Sequence, residues 1–106
     1  MVERDFQKRL IKRLKSTFKD CVVIKNDPTY IQGIPDLLVL YKDKWAALEC
    51  KKNKNASHQP NQEYYVNTMN DMSYASFISP ENEEEVFNEL QQAFGTRRST
   101  RVPRSK

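Results

Sequence analysis

The chain reads as an α/β sandwich with a mixed central sheet flanked by helices. Three observations predict it. Apolar residues recur at helical spacing in three segments, the clearest being Phe6, Leu10, Leu14 and Phe18. Between them lie short runs rich in β-branched and aromatic residues, bounded by turn chemistry. The resulting order is helix, strand, strand, strand, helix, strand, helix. Two of those strands make an antiparallel hairpin, and the strand after the second helix can return as a parallel neighbour. A length of 106 residues suits one domain with a modest core.

Residues 2–19 predict the first helix, with Ile11 beside the apolar stripe and basic residues on the other faces. Cys21 to Lys25 is β-branched and predicts a strand. Asn26-Asp27-Pro28-Thr29 is turn chemistry. Gly33 suits a tight bend or a close backbone approach, and Pro35 suits the first position of a strand. Leu37 to Tyr41 and Trp45 to Leu48, split by Lys42-Asp43-Lys44, predict the hairpin. Lys52 to Gln59 is a polar loop. Pro60 opens a second helix, capped by Ser57 or a neighbour and running to about Asn70; Tyr65, Met69 and Met72 are expected to face inward, with Val66 alongside. Tyr74 to Ser79 predicts the fourth strand. Ser79-Pro80-Glu81 predicts the start of a third helix, with Val86, Leu90 and Phe94 on one face and Gly95 as its stop. Residues 1–95 form the expected domain. Residues 96–106 lack apolar periodicity and read as a basic, mobile tail.

The chemistry concentrates at one end of the hairpin. Side chains alternate along a strand, so Glu49 and Lys51 share a face. Pivoting the hairpin on Lys42 to Lys44 brings Asp36 opposite a residue between Glu49 and Lys51. Directly opposed Cβ atoms lie about 4.5–5.5 Å apart. Two carboxylates and one ammonium therefore meet beside apolar strands. Carboxylates that close repel each other and are costly to desolvate, and a divalent cation resolves both problems. The donors are hard oxygens: Asp36, Glu49 and the backbone carbonyl of Cys50. They suit Mg²⁺ or Mn²⁺ rather than zinc. Lys51 beside such a metal can hold or deprotonate a water and stabilise charge on a phosphate.

Two further residues carry two readings each. Glu3 sits at the open end of the first helix's apolar stripe; it either favours the helix dipole or aims a carboxylate into the site. Gln62, in the first turn of the second helix, is either solvated or reaches back to the Lys51 end of the hairpin. His58 reads as a loop histidine and Trp45 as a packing residue; Tyr64 and Tyr65 carry a base-stacking reading, against which the helical spacing of Tyr65 favours the core.

The pattern Glu3, Gly33-Ile34-Pro35-Asp36, Glu49-Cys50-Lys51 and Gln62 resembles the PD-(D/E)xK nuclease superfamily. It is most similar to the VRR-NUC branch in its compact stand-alone phage form. The resemblance covers residues 3 to about 90. It implies a restriction-endonuclease-like fold and a Mg²⁺- or Mn²⁺-dependent endodeoxyribonuclease similar to Holliday junction resolvases, acting as a homodimer on branched DNA. By the same resemblance, Asp36, Glu49, Glu3 and the Cys50 carbonyl are metal ligands, Lys51 is the catalytic lysine and Gln62 is an auxiliary polar residue. A second class stays open, a nucleic-acid-binding or regulatory protein on the same fold without activity.

Charge distribution fits a polyanionic partner or an ordinary solvated surface. Residues 97–106 carry five basic side chains and no acid, so without them the net charge of +4 falls to −1. Residues 1–19 hold seven Lys or Arg against two acids, and residues 81–89 hold five Glu. Lys8, Lys12, Lys52, Lys54, Arg97 and Arg98 are the expected DNA contacts. No apolar run reaches the roughly 18 residues of a membrane span, and no leader segment is visible. Two cysteines make no disulfide framework, so a reducing cytoplasm is expected, the host's if the chain is phage-encoded.

Overall fold

The computed structural model describes residues 2–95. Helix α1 spans Glu3–Thr17 and buries Phe6, Leu10 and Leu14. Strands β1 (Val22–Lys25), β2 (Leu37–Tyr41) and β3 (Lys44–Cys50) follow. Helix α2 (Pro60–Met72) crosses to strand β4 (Tyr74–Ile78), and α3 (Glu83–Phe94) closes the domain. The four strands form one sheet in the order β1-β2-β3-β4. The first two pairings are antiparallel, and β3 with β4 is parallel, so the sheet is mixed as its apolar pattern predicts.

Alternation along β3 sorts the two faces. Ala46, Leu48 and Cys50 join the main core with Phe6, Leu10 and Phe18 of the α1 side and Val86, Leu90 and Phe94 of α3. Phe18 centres that core, edge-on to Tyr41 and Phe94 and stacked on Phe87. Ala47 faces the other way and packs with Val66 of α2 and Ala75 of β4; Trp45, Met69 and Phe77 flank this smaller cluster. Glu49 and Lys51, odd-numbered like Ala47, therefore face α2.

The elements α1 and α3 are also joined by charge. Buried Glu83 accepts hydrogen bonds from Arg9 at 3.0 Å and Arg13 at 2.7 Å, and Arg13 also holds Glu84. The Arg13 guanidinium lies 4.0 Å from the Phe87 ring centroid. The hydrogen bond with Glu84, and after it that with Glu83, pushes the already high Arg13 pKa further up against the effect of burial.

Four sequence expectations shift. Helix α3 begins at Glu83 rather than near Pro80, because Asn82 Oδ1 accepts the Ser79 N–H at 2.7 Å and holds residues 79–82 in a turn. Met72, the last residue of α2, is 69% exposed rather than inward-facing. Tyr65 is half-buried and Val66 is the buried residue of α2. Helix α2 also runs to Met72, two residues past the expected end. Residues 96–106, including Arg97 and Arg98, lie outside the described residues. Among the described residues no helix is long and apolar enough to cross a membrane.

Candidate active site

The hairpin turns on Lys42 and Asp43, with Lys42 in the left-handed region at φ 57°. Its register pairs Leu37 with Leu48, so Asp36 stands one step beyond the ladder, level with Glu49. Asp36 is anchored on both sides. Its backbone carbonyl accepts the Asn26 N–H at 2.8 Å, and its side-chain Oδ2 accepts the Cys50 N–H at 3.0 Å. The N–H and C=O of one strand residue point to the same strand edge. The Cys50 carbonyl is thus turned to the Asp36 side, as a ligand role requires. The Lys51 N–H goes the other way, to Ile78 O at 2.8 Å.

Helix α2 supplies the third wall. Gly33, at φ +91°, lets α2 come close, since a Cβ there would lie 2.3 Å from Asn61 Cβ. Gln62 then reaches the hairpin end. Its Nε2 donates to Glu49 Oε2 at 2.9 Å, while its Oε1 accepts Lys51 Nζ at 2.8 Å and the Gln59 N–H at 3.0 Å. Lysine has no acceptor, so only this amide orientation satisfies all three partners. Lys51 Nζ also donates to Ser57 O at 3.2 Å and lies 3.8 Å from Glu49 Oε2. Both side chains of that ion pair are buried. Gln62 is thus bonded to both, which decides between its two sequence readings.

Electrostatics record the crowding. Burial, then the charge of Asp36, raises Glu49 to about 8 against the pull of Lys51, and Glu3 adds to the rise. Asp36 is also raised, by burial, against the Cys50 N–H, Lys51 and Lys25. Glu3 is raised by burial and by Asp36, and lowered by Lys51 and Lys52. Glu3 therefore feels the site's charges, and it lines an open groove with Lys51, Lys52 and Gln62. Lys8 and Lys12 are exposed further along α1, about 140° and 180° round the helix from Glu3. Lys52 and Lys54 are exposed on the loop after β3, whose Lys54 N–H is held by Glu81.

No group of three or more His, Cys, Asp or Glu side chains among the described residues is arranged to hold a metal ion. A small hard cation asks for less, one or two carboxylates with waters and substrate oxygens completing its shell. The residues present fit that demand. Glu49 Oε1 is buried without a hydrogen-bond partner among the described residues. An orphaned carboxylate oxygen is costly unless something outside the chain satisfies it.

His58 stands apart from this centre. Its ring stacks on Phe77 at 3.8 Å, and Nδ1 lies 3.3 Å from Glu63. That stack went unread in the sequence because it joins a loop to a strand 19 residues on, with no periodicity to signal it. Both cysteines are free thiols, and burial pushes both up. No family model, curated protein or solved structure matches the chain.

Proposed function

We propose that this protein is a hydrolase, a Mg²⁺- or Mn²⁺-dependent DNA endonuclease of the PD-(D/E)xK type that acts on branched DNA such as four-way junctions. One observation carries the reading: Asp36, Glu49 and Lys51 converge beside a Gln62 that bonds both Lys51 and Glu49. An acid–acid–lysine set with Glu49 and Lys51 buried, Asp36 half-buried and a fourth residue holding it is costly as mere surface chemistry. It is explained by a reaction that needs an oxygen-ligated cation and a phosphate-facing ammonium together. The helix, three antiparallel strands, crossover helix and parallel fourth strand suit a restriction-endonuclease-like core.

Asp36, Glu49 and the Cys50 carbonyl would hold the metal, with Glu3 near enough in charge to join through a water. The bound cation supplies Lewis acidity toward the phosphate oxygens and the attacking water. Lys51 Nζ donates hydrogen bonds and positive charge where the pentavalent phosphate gains negative charge. Gln62 Oε1 keeps that ammonium aimed, and Gln62 Nε2 keeps the Glu49 carboxylate from rotating. In the net reaction a water oxygen bonds to phosphorus, the P–O ester bond breaks, and the departing oxygen takes up a proton. Lys52 and Lys54, with Lys8 and Lys12, offer phosphate contacts whose strength falls with salt.

One site cuts one strand, so resolving a junction calls for a symmetric pair of chains. Purified protein should nick supercoiled plasmid and cut four-way junctions with Mg²⁺ or Mn²⁺, and do neither with EDTA. Binding of DNA without any nicking under either metal would make the protein an inactive binder on this fold.

A further inference from the structure

Two open grooves flank Gln62. The one described above carries Lys51 and Lys52 and suits phosphate. The other, about 490 Å³, lies between the β1–β2 loop and the first turn of α2, and Gln62 lines it too. Its lining includes Thr29, Gln32, Gly33 and Asn61, and none of its lining residues is charged. Neutral amides and a hydroxyl offer donors and acceptors without the charge that a phosphate requires. That chemistry matches the edges of an unpaired nucleobase, which proteins read by hydrogen bonds to the edge and by stacking on the face.

The loop supplies the stacking partner. Tyr30 is 85% exposed, next to the groove residue Thr29. The loop is braced rather than loose. Asp27 Oδ1 accepts the Thr29 N–H at 2.9 Å and its hydroxyl at 2.6 Å, and the Tyr30 N–H donates to Asp27 O at 3.2 Å. Asn26 Nδ2 ties the loop's root to Pro35 O at 2.8 Å, directly before Asp36. The backbone of such a loop is held relative to the carboxylates, so the ordering cost of stacking on Tyr30 is confined to its two side-chain torsions. Single exposed aromatics are ordinary. This one is set apart by its place in the chain, one residue from Thr29 in the lining of a neutral groove that ends on a residue of the candidate site.

Resting on the nuclease reading above, we propose that this groove receives an unpaired nucleobase beside the cleaved phosphate, with Tyr30 as its stacking surface. The favoured substrate is then DNA with a base splayed out of the duplex at the cut, rather than continuous paired duplex.

The full chain in EDTA is titrated with a short single-stranded oligonucleotide carrying 2-aminopurine, whose fluorescence is quenched by stacking. The wild type and Tyr30→Phe should quench it with equal affinity. Tyr30→Ala should bind about tenfold more weakly, in line with a lost base–aromatic stack. With metal, Tyr30→Ala should lower the ratio of cleavage at an unpaired site to cleavage at a paired site by a similar factor. Equal affinity of Tyr30→Ala and wild type, or equal losses on paired and unpaired DNA, would overturn the proposal. The titration needs no cleavage, so absence of metal-dependent nicking would remove the nuclease reading while the groove is still tested by itself. Tyr30 is too exposed for its removal to disturb the fold, and circular dichroism checks that.

Discussion

At the scale of residues, the site is a balance of charge held by one neutral amide. Asp36→Ala and Lys51→Ala should each abolish metal-dependent nicking, but only Asp36→Ala should weaken Mn²⁺ binding by calorimetry, because an ammonium is no ligand. Wild-type turnover in Asp36→Ala would refute the assignment. Gln62→Glu should cut turnover by about 10²-fold or more. The new carboxylate cannot donate to Glu49 Oε2 and places a third acid beside two raised ones; single-turnover kinetics at saturating metal measure the loss. Glu49 also makes metal-free stability depend on pH. Its folded value of about 8 exceeds the 4.5 it takes unfolded. Below the lower value the carboxyl is neutral in both states, and its contribution is whole. As pH rises toward the upper value, the unfolded chain ionises more readily and that contribution is lost, on the order of a few kcal/mol. The urea midpoint without metal should therefore fall between about pH 5 and pH 8, and Glu49→Gln should flatten the fall. The sequence made Asp36, Glu49 and Lys51 legible, because hairpin register alone brings them together. The bonds of Gln62 were legible only as one of two options, since they depend on how closely Gly33 admits α2.

At the scale of elements, part of the charge that reads in the sequence as a polyanion-binding or solvated surface joins two helices. The sequence puts basic residues on α1 and acids on α3, and the fold sets Arg9 and Arg13 against Glu83 and Glu84. Complementary sign on two distant helices was the available signal; the pairing itself spans some 70 residues, beyond any local pattern. Glu83→Ala should lower stability by about 1–2 kcal/mol, less than a fully buried pair would cost because both arginines keep contact with water. Urea denaturation measures it, and cleavage per folded molecule should stay unchanged. The strands and α1 were read from periodicity within a residue or two of their observed bounds. Helix α3 was misplaced at its start because Ser79-Pro80 has the composition of a cap. The N-cap is Asn82, whose side chain makes no capping bond and instead holds the Ser79 N–H, keeping residues 79–82 in a turn.

At the scale of the whole molecule, α2 covers β3 and β4 and leaves the other half of that face open. Val22 and Leu40 pair across β1 and β2, as do Ile24 and Leu38, on the side facing α2. Val22 is 52% exposed, Ile24 39% and Leu40 36%. The homodimer proposed above for two-strand cutting would gain stability by burying this strip. Sedimentation at micromolar concentration should show twice the chain mass for the wild type and a single chain mass for Leu40→Glu, with junction resolution reduced to single nicks. A wild-type monomer that still cuts both strands in one encounter would count against the pair. The same asymmetry bears on how long the candidate site stays assembled. Helix α2 buries only Val66 outright, whereas α1 and α3 share the aromatic core on the opposite face. Local opening costs least where few apolar contacts hold an element down. Fraying of α2 would withdraw Gln62 and release Lys51 while the hairpin, with Asp36 and Glu49, stayed folded. The candidate site is thus a less durable object than the domain that carries it. Amide hydrogen exchange in α2 would report its lifetime, and the exchange of β2 and β3 would report the fold's.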